Sequence, residues 1–201
     1  MYEWTDDAIK AAIAVFQQFG LDWKFRFHPG INDQQITQCE RDLNLYLPHS
    51  YREFLQQSNG AHLFYSASEL EYPSDPCWAA SGIKIFSTTE LLLYRRYRQE
   101  TASPYDEPDD QSILGFAYLG YVNTSDICAF DTANFSEGEC PVLDGDHDYP
   151  PSEWTPIAAS FEEWLLKMFD RIINHKSIPE YWFSDNLNDN SLAVIASSID
   201  L

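Results

Sequence analysis

The sequence predicts an α+β protein in which a mixed or antiparallel sheet of about five or six strands is flanked by helices. Apolar residues recur at helical spacing near both ends of the chain, and short runs with a period of two lie between them. Aromatic residues make up 15% of the 201 residues, a content that disordered chains lack. We therefore expect a folded protein with one packed core.

Five segments combine a helical apolar period with start or stop signals. Pro48 suits the first turn of one helix, and Asn59-Gly60 suits its end because both residues tolerate left-handed backbone. Three other helices begin with a candidate capping box, namely Asn32 with Gln35, Ser87 with Glu90, and Ser160 with Glu163. The predicted helices cover about residues 6–19, 33–43, 48–58, 88–98 and 160–172.

Shorter segments between the helices have the pattern of strands. They cover about residues 61–65, 82–86, 112–118, 125–131 and 140–143. Asn123 and Asn134 lie near predicted turns, and prolines mark loops at 69–76 and 100–111. The sequence shows no internal repeat and no linker between two domains. We expect a helical extension over residues 1–30 packed on one domain over 31–175, followed by a tail over 176–201.

The charge of the chain is strongly one-sided. Thirty-two acidic and 12 basic residues give a formal net charge of −20, which repels nucleic acid and anionic membranes and favours a basic protein partner. Between Gln99 and Leu166 there are 15 acidic residues and no lysine or arginine. This segment is either an ordinary solvated surface or a recognition surface, and the absence of mixed signs favours recognition. The candidate acidic face consists of Asp106, Glu107, Asp109, Asp110, Glu137, Glu139, Asp144, Asp146 and Asp148.

The N-terminal residues lack the basic and apolar segments of a secretion signal. No run of about 18 apolar residues predicts a transmembrane helix. The sequence therefore predicts a cytoplasmic protein whose cysteines, Cys39, Cys77, Cys128 and Cys140, are free thiols. They form no C-x-x-C pair, so we expect neither a disulfide nor a zinc site.

Candidates for catalysis or metal binding are few. The string Asp144-Gly-Asp-His-Asp148 has alternating carboxylates, but Tyr149 stands where a calcium loop needs glycine and Thr155 where it needs glutamate. Asp126 and Asp131 would point to opposite faces of one strand, which makes them a poor acid–base pair. No phosphate-binding glycine motif or nucleophile elbow is present. We expect no cofactor, metal or catalysis, and a carboxylate-dependent enzyme is the least favoured alternative.

Residues 36–60, ITQCERDLNLYLPHSYREFLQQSNG, resemble the signature of the SUKH superfamily. Downstream, Ala129-Phe130-Asp131 and the segment SFEEWL at 160–165 agree with the same pattern, and the resemblance covers about residues 30–172. Ser125-Asp126 stands where members often carry Gly-Asp. The signature residues of this chain are Glu40, Leu47, Pro48, Tyr51, Phe54, Asn59, Gly60, Asp131, Phe161 and Trp164.

The resemblance implies a SUKH-like α+β fold and a binding role without catalysis. The superfamily includes fungal regulators of cell-wall assembly and bacterial immunity proteins, which neutralise toxins delivered by neighbouring cells, often nucleases. A nuclease needs a basic cleft, so a partner with a charge of −20 would associate with it quickly. We expect an immunity-type protein, monomeric or weakly dimeric, that binds a basic protein toxin through the candidate acidic face. The alternative is a general interaction scaffold of the cell-wall-regulator type.

Overall fold

The computed structural model describes residues 5–18, 23–66, 82–101, 112–119, 126–145 and 149–174. Its helices are α1 (Thr5–Gln18), α2 (Asp33–Leu43), α3 (His49–Gln57), α4 (Thr88–Thr101) and α5 (Phe161–Ile173). Its strands are β1 (Trp23–Phe27), β2 (Ala61–Ser66), β3 (Ile83–Ile85), β4 (Ile113–Leu119), β5 (Ile127–Asp131), β6 (Val142–Gly145) and β7 (Thr155–Ala158).

The strands form one antiparallel sheet in which each strand pairs with the next along the chain, from β1 to β7. The α+β prediction is confirmed, but the described residues contain seven strands where five or six were expected. The two additional strands are the edges. β1 alternates Trp23, Phe25 and Phe27 with basic residues, a period-two signal that predicts a strand. β7 has only four residues and contains Pro156, which only an edge strand tolerates easily.

The predicted helices are present, and local capping explains their starts. Asn32 and Gln35 form the expected capping box, with side-chain to backbone distances of 3.0 and 3.1 Å. The Ser160 hydroxyl accepts from the Glu163 backbone N–H at 3.1 Å. α4 continues to Thr101, three residues beyond its predicted end.

The core is a continuous aromatic cluster. The rings of Phe116 on β4 and Phe130 on β5 stack 4.0 Å apart, and Tyr51 of α3 and Trp164 of α5 pack against them. The opposite face of β4 receives Tyr94 of α4. Both faces of the central strands are therefore covered.

The N-terminal helix belongs to the same core. Phe16 of α1 lies 5.7 Å from the ring of Phe64 on β2, which in turn contacts Phe169 of α5 at 5.1 Å. Phe64 has a positive φ of 59°, at a register shift between β1 and β2. Such a bulge lets Phe64 point into the core without displacing its neighbours.

Several predictions fall on residues that the structure does not describe. They concern the loop at 69–76, most of the loop at 100–111, the turn at Asn123, and the tail over 176–201. No helix among the described residues has both the length and the apolar character needed to cross a membrane.

Candidate functional site

The connection between β5 and β6 projects from one end of the sheet. Its outermost part is a tight turn in which the backbones of Ser136 and Glu139 exchange hydrogen bonds of 2.7 and 2.9 Å. The central residues, Glu137 and Gly138, have positive φ angles of 53° and 86°, as in a type I′ turn. The turn therefore holds the exposed Glu137 side chain at its tip.

Hydrogen bonds to the start of α3 fix this turn. The His49 N–H donates to the Gly138 carbonyl at 2.8 Å. The Glu139 carboxylate accepts from the Ser50 N–H at 2.7 Å and from the Ser50 hydroxyl at 2.8 Å. Pro48, at the N-cap, offers no side-chain hydrogen bond, so Glu139 caps α3 from 89 residues away.

The chain segments that meet at the junction of the turn with α3 carry exposed aromatic and charged side chains. Tyr46 is 77% exposed and Phe135 is 41% exposed, although both are large hydrophobic residues. The His49 imidazole lies 3.2 Å from the Glu53 carboxylate on the outer surface of α3. We call Tyr46, His49, Glu53, Phe135 and Glu137 the hairpin surface. Exposed aromatics next to acids suit contact with a basic protein rather than a small ligand.

The described members of the candidate acidic face divide between the two ends of the sheet. Glu137 and Glu139 lie beyond the C-terminal end of β5, whereas Asp144 pairs with Cys128 near the N-terminal end of β5. Asp144 is exposed, and the carboxylate of Glu139 is engaged by α3. These three residues do not form one patch. The other six, Asp106, Glu107, Asp109, Asp110, Asp146 and Asp148, lie outside the described residues.

The chain enters β4 at the same end of the sheet as Glu137, directly after the acidic residues 102–111. Ser112 follows residues 102–111 in sequence, and its carbonyl accepts from the Thr132 N–H at 2.8 Å and from the Thr132 hydroxyl at 2.6 Å. Thr132 follows Asp131, whose carboxylate accepts from the Asn134 side-chain amide at 2.7 Å. Ser112, Asp131 and the hairpin surface therefore share one end of the sheet.

Among the signature residues, Glu40 joins α2 to α3. Its side chain is buried, and one carboxylate oxygen accepts from the Leu47 N–H at 2.9 Å. The other oxygen pairs with the guanidinium of Arg52, which also contacts Asp33. This arrangement fixes the loop that presents Tyr46, so the role of Glu40 is structural.

The remaining polar signature residues connect α3 to β3 and α4. The Tyr51 hydroxyl donates to the Phe86 carbonyl at 2.7 Å, and the Asn59 side chain accepts from the Thr88 N–H at 2.9 Å. Gly60 has a φ of 91°, and a Cβ there would lie 2.8 Å from the Ser87 nitrogen. Leu47, Phe54, Phe161 and Trp164 are buried in the core.

The described cysteines are buried free thiols. Burial raises the pKa of Cys39 and of Cys140 to about 12, and it raises the pKa of Cys128 well above its usual value. Buried thiols of this kind are unreactive. Cys77 lies outside the described residues. Within the described ranges, no group of three or more histidine, cysteine or acidic side chains is arranged to hold a metal ion.

A sequence model of the SMI1 / KNR4 family (SUKH-1) matches residues 30–167, more than two thirds of the chain. The matched range begins just before α2 and ends within α5. A search of curated proteins found no match to the chain.

Proposed function

Because the chain belongs to the SMI1 / KNR4 family (SUKH-1), we propose that it is an immunity-type binding protein that neutralises a basic protein toxin in the cytoplasm. A nuclease is the toxin class that such a protein fits best, since the cleft that holds nucleic acid is itself basic. The proposal assigns no catalytic role to any residue.

The observation that carries the proposal is the hairpin surface. Tyr46 and Phe135 offer exposed aromatic area, and Glu137, two residues after Phe135, adds an exposed carboxylate. Aromatic residues in the centre of an interface supply most of the binding energy, while charged residues around them set orientation and association rate. The bonds from α3 to Gly138 and Glu139 hold these groups in place before binding, which lowers the entropy cost.

The distribution of charge supports the same partner class. Residues 99–166 contain 15 acidic residues and no lysine or arginine. This range includes the turn between β5 and β6. A field of this size accelerates association with a basic protein and makes the rate sensitive to salt. Nucleic acid and anionic membranes remain unfavourable partners.

The structural roles of the signature residues support a binding protein over an enzyme. Glu40, Tyr51 and Asn59 are each engaged in bonds that hold helices and loops together. The second candidate function, a general scaffold of the cell-wall-regulator type, uses the same fold and the same surface. The two proposals differ only in the partner.

Co-expression with a toxin tests the immunity proposal. The gene next to that of this protein is expected to encode a secreted toxin, and its C-terminal domain should be lethal alone, tolerated with this protein, and recovered in complex with it. Tyr46→Ala should weaken the complex by at least about tenfold. Tyr149→Ala is the matched control, because Tyr149 is also an exposed tyrosine, at 55%, and follows β6 at the opposite end of the sheet.

Lethality that persists, with no complex, would contradict immunity and favour the scaffold. If Tyr149→Ala weakens the complex while Tyr46→Ala leaves it unchanged, the immunity proposal stands and the hairpin surface is wrong.

A further inference from the structure

Helix α4 displays a stripe of exposed residues on its outer side. Leu93 is 56% exposed and Tyr97 is 53% exposed, and Arg96 and Glu100 are exposed beside them. These four residues have the spacing i, i+3, i+4 and i+7, so they lie on one face of the helix. We call them the α4 stripe. The inner side of the same helix is buried, with Leu91 in the core.

Two features distinguish this stripe from ordinary surface. Leu93 and Tyr97 are adjacent on the helix, whereas isolated exposed apolar residues are common and carry no meaning. Arg96 and Glu100 have no ion-pair partner within the described chain, although they lie one turn apart and the protein contains 32 acidic residues. The stripe therefore has apolar area and two unused charges of opposite sign.

The stripe is complementary to itself. When two copies of α4 lie antiparallel with the two-fold axis between residues 96 and 97, Arg96 comes within about 4.5 Å along the axis of Glu100 in the other copy. Leu93 is offset by the same amount from Tyr97 of the other copy. Both contacts occur twice, because an interface on a two-fold axis repeats each pair.

The charge of α4 also suits contact between copies. It contains Glu90, Arg95, Arg96, Arg98 and Glu100, a sum of +1 in a chain of net charge −20. Contact through α4 therefore brings less like charge together than contact through a surface with the average charge of the chain.

We propose that the α4 stripe is the contact surface for a second copy of this chain in a two-fold symmetric dimer. This inference does not depend on the proposed toxin, and it leaves the hairpin surface on a different element. One helix face buries little area, so the dimer is expected to be weak, with a dissociation constant of about 10–100 µM. Salt should strengthen it, because screening reduces the repulsion between two copies of charge −20.

Sedimentation velocity of the full chain, from about 1 to about 500 µM, tests the proposal. The wild type should shift from monomer to dimer with concentration. Arg96→Glu should lower the association constant by at least about tenfold, and the double variant Arg96→Glu with Glu100→Arg should restore it. Leu93→Asp should also weaken the dimer. Leu166→Asp is the matched control, since Leu166 is an exposed leucine on α5.

A chain that stays monomeric over the whole range would overturn the proposal. So would a dimer that withstands Leu93→Asp, or one that the charge exchange fails to restore while circular dichroism shows a folded protein. Binding of toxin by the Leu93→Asp variant should be unchanged, which separates failure of this proposal from failure of the proposed function.

Discussion

The Glu139 carboxylate holds Ser50 with both of its oxygens, one bonded to the backbone N–H at 2.7 Å and one to the hydroxyl at 2.8 Å. This contact joins the turn between β5 and β6 to the first turn of α3. It satisfies one orphan N–H, that of Ser50, in a helix whose own N-cap is a proline. A carboxylate at this position also interacts favourably with the positive end of the helix dipole.

Replacing Glu139 with alanine should therefore destabilise the fold. We expect the free energy of unfolding to fall by about 1–2 kcal/mol, the usual cost of a lost helix cap. Urea denaturation, monitored by tryptophan fluorescence, measures this change in the free energy of unfolding. Glu53→Ala, which removes an exposed carboxylate from α3, should change the stability by less than about 0.5 kcal/mol. Equal effects of the two variants would contradict the capping role.

Replacing Glu137 with glycine should stabilise the fold and weaken partner binding. Glu137 has a φ of 53°, which costs a non-glycine residue about 1 kcal/mol. Glycine removes this strain, although its flexible unfolded state offsets part of the gain, so we expect a rise of about 0.5 kcal/mol. Association with the toxin should slow because an exposed charge is lost. Stopped-flow kinetics and denaturation of the same sample measure both effects, and a variant that binds at the wild-type rate would remove Glu137 from the interface.

The buried carboxylate of Glu40 should make a larger contribution to stability than its exposed neighbour Asp33. Both pair with Arg52, but only Glu40 is buried. Glu40→Gln leaves the Arg52 guanidinium partly buried with one partner fewer, so we expect a loss of about 2–3 kcal/mol. Asp33→Asn should cost less than about 1 kcal/mol. Thermal unfolding at neutral pH compares the two variants, and a similar loss in both would contradict the assigned difference.

Acid should destabilise the protein through His62. Burial lowers the pKa of His62 to about 4, and Lys84 and Arg26 on the neighbouring strands add to this effect, while Glu90 opposes it. The usual pKa of histidine is 6.5. Below this pH the unfolded chain binds a proton at His62 that the folded chain does not bind, so the free energy of unfolding falls between pH 6.5 and about 4. By about pH 4, the free energy of unfolding has fallen by about 3 kcal/mol through this residue.

His62→Gln should flatten this part of the stability curve, because glutamine does not titrate. His49→Gln, at an exposed histidine, is the matched control for the substitution itself. Denaturant titrations at half-unit steps of pH give the slopes, and the proposed cause is wrong if His62→Gln and the wild type lose stability in parallel.

Local sequence signals predicted the helices because their capping residues act within a few positions, as with Asn32 and Gln35. They did not predict β7, a short edge strand with Pro156, whose pairing depends on β6. Nor could they predict the role of Glu139, because its partner Ser50 is 89 residues distant in the chain. The candidate acidic face was chosen by proximity in sequence, whereas the fold separates Glu137 from Asp144 along β5 and β6. Exposed aromatics such as Tyr46 could not be distinguished from core aromatics by composition.

The sheet in which every strand pairs with its successor has a consequence for biogenesis. During synthesis, each strand can pair as soon as its successor leaves the ribosome, although α2 and α3 separate β1 from β2, and α4 separates β3 from β4. The connections among β4, β5, β6 and β7 have at most ten residues and carry a low entropy cost of closure, so we expect this part of the sheet to fold as it is synthesised. Among the described elements, α5 leaves the ribosome last, and its Phe169 side chain then packs on Phe25 of β1 and Phe64 of β2.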